Sequence, residues 1–144
     1  MPQRVNRRRG SAMVEFALIA PMLLLVMAGV LDYSLALRTA IVVADAARAG
    51  AQYGSLTAAN SSDISGMQAA ARNAAPTLTG LTVTAEQACQ CSDGTAASCS
   101  GSCSTGALSV YVRVTATATA PLAFRYPGLA FSGAVSSSAT MRAQ

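Results

Sequence analysis

Two periodicities divide the chain. From Ala12 to Leu31 the residues are apolar almost without interruption, and Glu15 is the one charge among these twenty. At ~1.5 Å per residue they form a helix of ~30 Å, one hydrocarbon core thick. Pro21 would break a soluble helix, but a membrane span tolerates it. Past Leu31 the pattern becomes a stripe. Ser34, Arg38, Asp45, Arg48 and Gln52 share one helical face, and Leu35, Val42, Val43, Ala46, Ala47 and Tyr53 share the other. Ile41 falls on the polar side, and Asp45 is spaced to pair with Arg48. The pattern predicts one helix over 11–53, stopped by Gly54, with a membrane span at about 12–31 and a length of ~65 Å.

"SLTAANSS", residues 55–62, reads as a polar linker. A second helix follows, with Ser62 as N-cap and Asp63 in the first turn. Ile64, Met67 and Ala71 share its inner face, and Pro76 ends it. The period then changes to two. Leu81, Val83 and Ala85 alternate with Thr82, Thr84 and Glu86. In "ALSVYVRVTATATAPLAF", residues 107–124, Val110, Val112, Val114, Ala116 and Ala118 point one way. "FRYPGLAFSG" is a loop with a Pro-Gly turn, and the tail alternates again through Val135, Ala139 and Met141, with Arg142 on the other side. Strict alternation with β-branched residues marks half-buried antiparallel strands. The predicted fold is α+β: a long N-terminal helix, a short second helix and a three-stranded antiparallel sheet, with the helices covering its apolar face. The boundaries are 1–10 for a basic leading segment, 11–53 for the helix and 54–144 for the outer domain.

Composition agrees: 52% of the 144 residues are hydrophobic and 11% charged, too apolar for an ordinary soluble domain. The net charge of +4 is local. Arg4, Arg7, Arg8 and Arg9 precede Gly10, and beyond it the arginines and acids balance. By the positive-inside rule the N-terminus is cytoplasmic and the domain after the span is extracytoplasmic. No basic face is interleaved with aromatics, which argues against nucleic-acid binding. His and Lys are absent, which removes the usual general bases and the nucleophilic amine. Asp63, Glu86 and Asp93 form no catalytic carboxylate pattern, so no enzyme is predicted and no cofactor is implied.

Cys89, Cys91, Cys99 and Cys103 lie in "CQCSDGTAASCSGSC". C-x-C is tight for zinc and no His assists. An even count outside the cytoplasm predicts two disulfides rather than a metal site. Three pairings are open. The nested one, Cys89 with Cys103 and Cys91 with Cys99, is preferred because it suits an antiparallel hairpin.

A carboxylate near the start of a span is costly at depth. Glu15 sits in "RRRGSAMVEF", residues 7–16. A cleavable signal peptide would place its small residue after a shorter apolar core; here Gly10 comes before the run. The segment resembles a type IV prepilin processing site, in which a peptidase cuts after glycine on the cytoplasmic side and Glu is fifth in the mature chain. Cutting after Gly10 would make Ser11 the first residue and Glu15 the fifth. Phe16 resembles the aromatic that follows Glu in the Flp subclass. The continuation "ALIAPMLLLVMAGVLDYS" is similar to TadE-like minor pilins of tight-adherence pili, and "SATMR", residues 138–142, resembles the end of their last strand.

The resemblance implies a minor pilin or pseudopilin in the bacterial inner membrane, incorporated into or assisting a pilus for surface attachment and biofilm formation. Its implied partners are a prepilin peptidase, other pilin and minor pilin subunits and the inner-membrane assembly platform. Residues 1–10 would be the leader. Glu15 of one subunit would then meet the new Ser11 amine of a neighbour, setting axial register more than raw stability. The alternative is an uncleaved single-span envelope protein whose outer domain binds a ligand.

Overall fold

Ala-, Leu- and Met-rich sequence with no glycine pair or proline past Pro21 favours unbroken helix through the span. In the structure, a computed structural model, one helix, α1, runs from Arg8 to Ser55, 48 residues, with Pro21 inside it. The structure describes residues 8–104, 106–124 and 133–143, with side chains from Ala12 onward. Arg4, Arg7 and the Pro-Gly turn of the loop at 125–132 lie outside the described residues. Every large apolar side chain of α1 from Met13 to Leu31 is exposed.

After Leu31 the helix acquires an inside. Val43, Ala46, Ala47 and Ala51 are fully buried, while Ile41 stays exposed on the polar face. Asp45 and Arg48 meet at 3.5 Å in the open, a pair of small energetic weight. Gly54 does not stop α1, as its position after Tyr53 suggested; the helix continues to Ser55. The glycine serves packing instead. A Cβ on Gly54 would overlap the Met67 side chain and lie 3.2 Å from Val112 Cγ1. One turn earlier, a Cβ on Gly50 would stand 2.8 Å from the Met67 carbonyl oxygen and 3.0 Å from Val114 Cγ1. Helix and sheet close on the glycine surface.

The polar linker folds partly into a one-turn helix, α2, Ala58–Ser62, whose N-cap Thr57 accepts from the Asn60 amide. The next helix, α3, spans Ile64–Ala74, and its N-cap is Asp63 rather than Ser62. Asp63 Oδ1 accepts from the Gly66 amide at 2.8 Å, the bond a capping carboxylate makes to N3. Met67 and Ala71 are its buried face, and Ala75, before Pro76, closes it as C-cap.

The strands are β1 (Thr82–Cys91), β2 (Ala96–Ala97), β3 (Leu108–Thr119) and β4 (Ala134–Arg142). They form a four-stranded antiparallel sheet in the order β2-β1-β3-β4. The three expected strands are all present. The fourth is the two-residue β2, made because the cysteine loop turns at Gly94, whose φ is +89°, and folds Ala96 and Ala97 back beside Gln90 and Cys89. Val83, Val112, Val114, Ala116 and Ala118 point into the core with α1 and α3. The other face carries Thr, Ser and an exposed Glu86–Arg113 pair at 3.5 Å.

Contacts along α1 orient the sheet. The segment after β3 meets α1 at Asp32, and Met141 near the end of β4 meets it at Ser55. Thus β4 and β1 run away from the membrane end, and β3 returns toward it.

Gly54→Leu should destabilise the outer domain by roughly 1–3 kcal/mol through overpacking, read by chemical denaturation of the full chain in detergent with circular dichroism. Gly29→Leu, where a Cβ meets nothing within 4 Å, should leave the transition in place.

Candidate functional site

The predicted processing and assembly residues lie on the first turns of α1. Gly10 and Ser11 are helical in backbone, and the Ser11 side chain lies outside what the structure describes. Glu15 and Phe16 follow one turn later, both exposed, Phe16 at 69%. Glu15 stands five helical steps after Gly10, ~7.5 Å along the axis. Among the described residues Glu15 has no hydrogen-bond or ion-pair partner, and it stands beside exposed Met13, Leu18 and Ile19. This region carries one carboxylate on an apolar rod whose sides are open to lipid or to other helices.

Where the rod enters the domain, the structure adds a residue that the sequence analysis did not single out. Asp32 is buried, at 7% exposure. Its Oδ1 accepts from the amides of Ala123 at 2.7 Å and Phe124 at 3.3 Å. Its Oδ2 is buried and has no partner among the described residues. A buried carboxylate is retained where it holds backbone that has no ladder, and here it fastens the chain leaving β3 to the helix. Spacing carried the signal: Asp32, Leu35, Thr39 and Val43 follow the three-and-four rhythm of the buried stripe. Thr39 is itself buried, its hydroxyl donating to the Leu35 carbonyl at 3.0 Å.

The far end of α1 is fastened by a second carboxylate. The Tyr53 hydroxyl donates to Asp63 Oδ2 at 3.0 Å, and the Ser65 hydroxyl donates to Oδ1 at 2.8 Å. The Gly66 amide first, then Ser65 and Tyr53, hold the Asp63 carboxyl below its ordinary range. The same bond, then the negative charge of Asp63, push the Tyr53 phenol up. Ser61, buried on α2, donates to the Ala58 carbonyl and accepts from Gln87 on β1 at 2.9 Å.

All four cysteines are joined, but not in the nested order. The bonds are Cys89–Cys99, with Cα atoms 5.1 Å apart, and Cys91–Cys103, at 5.8 Å. The pairing of Cys89 with Cys103 and Cys91 with Cys99 is corrected by β2. Ala97 lies opposite Cys89, so Cys99, two residues on, has already passed Cys89 and is far from Cys91. The chain then turns at Gly101, whose amide donates to Ser98 O at 2.9 Å, and brings Cys103 back toward Cys91. The nested order would need the return strand to run on from Cys99 to Cys103 opposite Cys91 and Cys89, in place of the observed register of Cys89 with Ala97.

These parts define an anchored α+β domain. One apolar helix, the single one among the described residues long and apolar enough to cross a membrane, leads into a disulfide-stapled head. Residues 10–52 match the family described as TadE-like protein. The match begins at Gly10 and ends within α1, on the same segment that carries the resemblance seen in the sequence. A TadE-like segment points to a protein associated with the pilus of the tight-adherence system. No curated protein and no solved structure matches the chain.

Asp63 gives a pH prediction. A carboxyl held low when folded contributes stability above its unfolded value and loses it as pH falls through the folded one. Wild type should therefore lose thermal stability as the pH drops through and below the ordinary carboxylate range. Asp63→Ala should start lower at neutral pH and show a flatter acid slope. Equal slopes in melting curves from neutral to acid pH would contradict the assignment.

Proposed function

We propose that this protein is a minor pilin or pseudopilin that takes part in assembling a tight-adherence pilus used for surface attachment and biofilm formation. The observation that carries the reading is the coincidence at Gly10. The basic run ends just before it, the TadE-like match begins at it and the apolar run follows it, and Glu15 stands at the fifth position after it. The role is structural rather than enzymatic. The proposed partners are a prepilin peptidase acting between Gly10 and Ser11, other pilin and minor pilin subunits, and the inner-membrane assembly platform.

Orientation follows from the arginine run, which keeps the N-terminus in the cytoplasm. Two disulfides in the head suit an oxidising, extracytoplasmic compartment. Flp-type major pilins hold little beyond the helix, and a sheet domain of this size favours the minor role. Within the apolar rod, a lone Glu15 is expensive unless paired. The amine freed on Ser11 of a neighbouring subunit would supply the charge, and the pair would set how far one helix slides along the next.

Cleavage and assembly separate in two variants. Gly10→Leu should block close approach of the peptidase to the backbone and leave the ten-residue leader attached. Glu15→Ala should be processed yet fail to enter pili. Mass spectrometry of the mature N-terminus, with a count of surface pili in cells carrying the matching peptidase, reads both. An uncut wild-type N-terminus, with pili unaffected by loss of the protein, would return the chain to the uncleaved envelope-protein reading.

A further inference from the structure

The sheet ends in two edges that no described strand covers. Bonding parity identifies the groups that face outward. The Ala143 amide donates to Val110 O and the Ala120 amide to Gly133 O, both at 2.8 Å. These bonds bracket β4 and assign its odd-numbered residues to the β3 ladder. The amides and carbonyls of Ala134, Ser136, Ser138, Thr140 and Arg142 therefore face away from the sheet. On the other side, the Ser92 amide donates to Ala107 O at 3.1 Å, which assigns the even residues of β1 to β3. Val83, Ala85 and Gln87 then face outward, below the stretch occupied by β2 at Cys89 and Gln90.

Proteins blunt such edges with lysine, proline, bulges or inward charges. β4 has none of these. Its register on β3 runs unbroken from Thr119↔Ala134 to Tyr111↔Arg142, and its one charge, Arg142, stands at its last position. Direction decides what an edge of this kind accepts. β4 and β1 both run away from the membrane end of α1, so an antiparallel pairing of two β4 strands would send the two α1 helices opposite ways. One membrane does not allow that. Setting the β4 edge of one copy against the β1 edge of the next keeps every α1 parallel. It also keeps the helix layer on one side of the extended sheet.

We propose that copies of this chain join side by side through their sheet edges, β4 of one copy pairing in parallel with residues 83–87 of the next. The interface is heterologous, and such an interface repeats into a ring or a helical array rather than closing as a dimer. The inference deepens the assembly reading and rests on it only for the shared orientation of the helices.

The test is cross-linking of the full chain in its own membrane. Thr84→Cys is combined in turn with Ser136→Cys, Ser138→Cys and Thr140→Cys, since these side chains share the outer sheet face. At least one pair should give a ladder of dimers and larger species on non-reducing gels, and each single variant should give none. Ser138→Pro, added to the Ser136 or Thr140 pair that cross-links, should abolish the ladder. It removes an outward amide and leaves the β3 ladder whole, and a peptide map showing the native disulfides verifies the fold. A cross-linked dimer from Ser138→Cys alone, no ladder from any pair, or a ladder that survives Ser138→Pro overturns the proposal. Leu24→Cys, in the span, separates the two readings. Its cross-linking without an edge ladder leaves assembly standing and removes only the edges. An edge ladder in a chain whose N-terminus is uncut would do the reverse.

Discussion

One helix has to satisfy two solvents. The first part of α1 is apolar on all sides, and the second keeps an apolar stripe with charges opposite it. The change from one to the other occurs within a single unbroken rod. Everything else is built against that rod. The glycines at 50 and 54 let Met67 of α3 and the valines of β3 approach it closely, and a close-packed interior forfeits contacts steeply when neighbours are held apart. The head is thus not tethered to the anchor by a linker. It shares a core with it.

Two carboxylates bound the shared stretch. Asp32 ties the membrane end of the sheet to α1, and Asp63 ties the start of α3 to Tyr53 at the other end. Each accepts backbone amides that regular structure leaves unpaired, at Ala123 and Phe124 in one case and Gly66 in the other. A load applied to α1 would reach the sheet through these ties and the core between them.

Much of this was legible in the sequence because periodicity records burial. Exposed Ile41 and the inner Val112, Val114 and Ala116 all follow from counting positions, as does the α+β class. What was not legible depended on partners distant in sequence. Gly54 reads as a stop until Met67 is known to press on it. Ser62 and Asp63 are both good caps, and only Tyr53 and Gly66 favour the second. The disulfide order turned on a two-residue strand too short to leave a period, so the hairpin assumed for Cys89 to Cys103 was the wrong one. Asp32 did leave a trace, in its spacing to Leu35 and Thr39, but its partners at Ala123 and Phe124 lie about ninety residues away in the chain. Gly10, Ser11, Glu15 and Phe16 show the reverse case: the sequence pattern they share is distinct, while Glu15 has no hydrogen-bond or ion-pair partner among the described residues.

One rigid helix, α1, joins the anchor to the head. Spin labels at Met22→Cys and Gln52→Cys, with the native cysteines held in their disulfides, measure it in the full chain in lipid nanodiscs. Thirty residues of continuous helix predict one narrow distance near ~45 Å. A broad distribution, or a main distance far below that value, would show a hinge between membrane and domain and contradict the account.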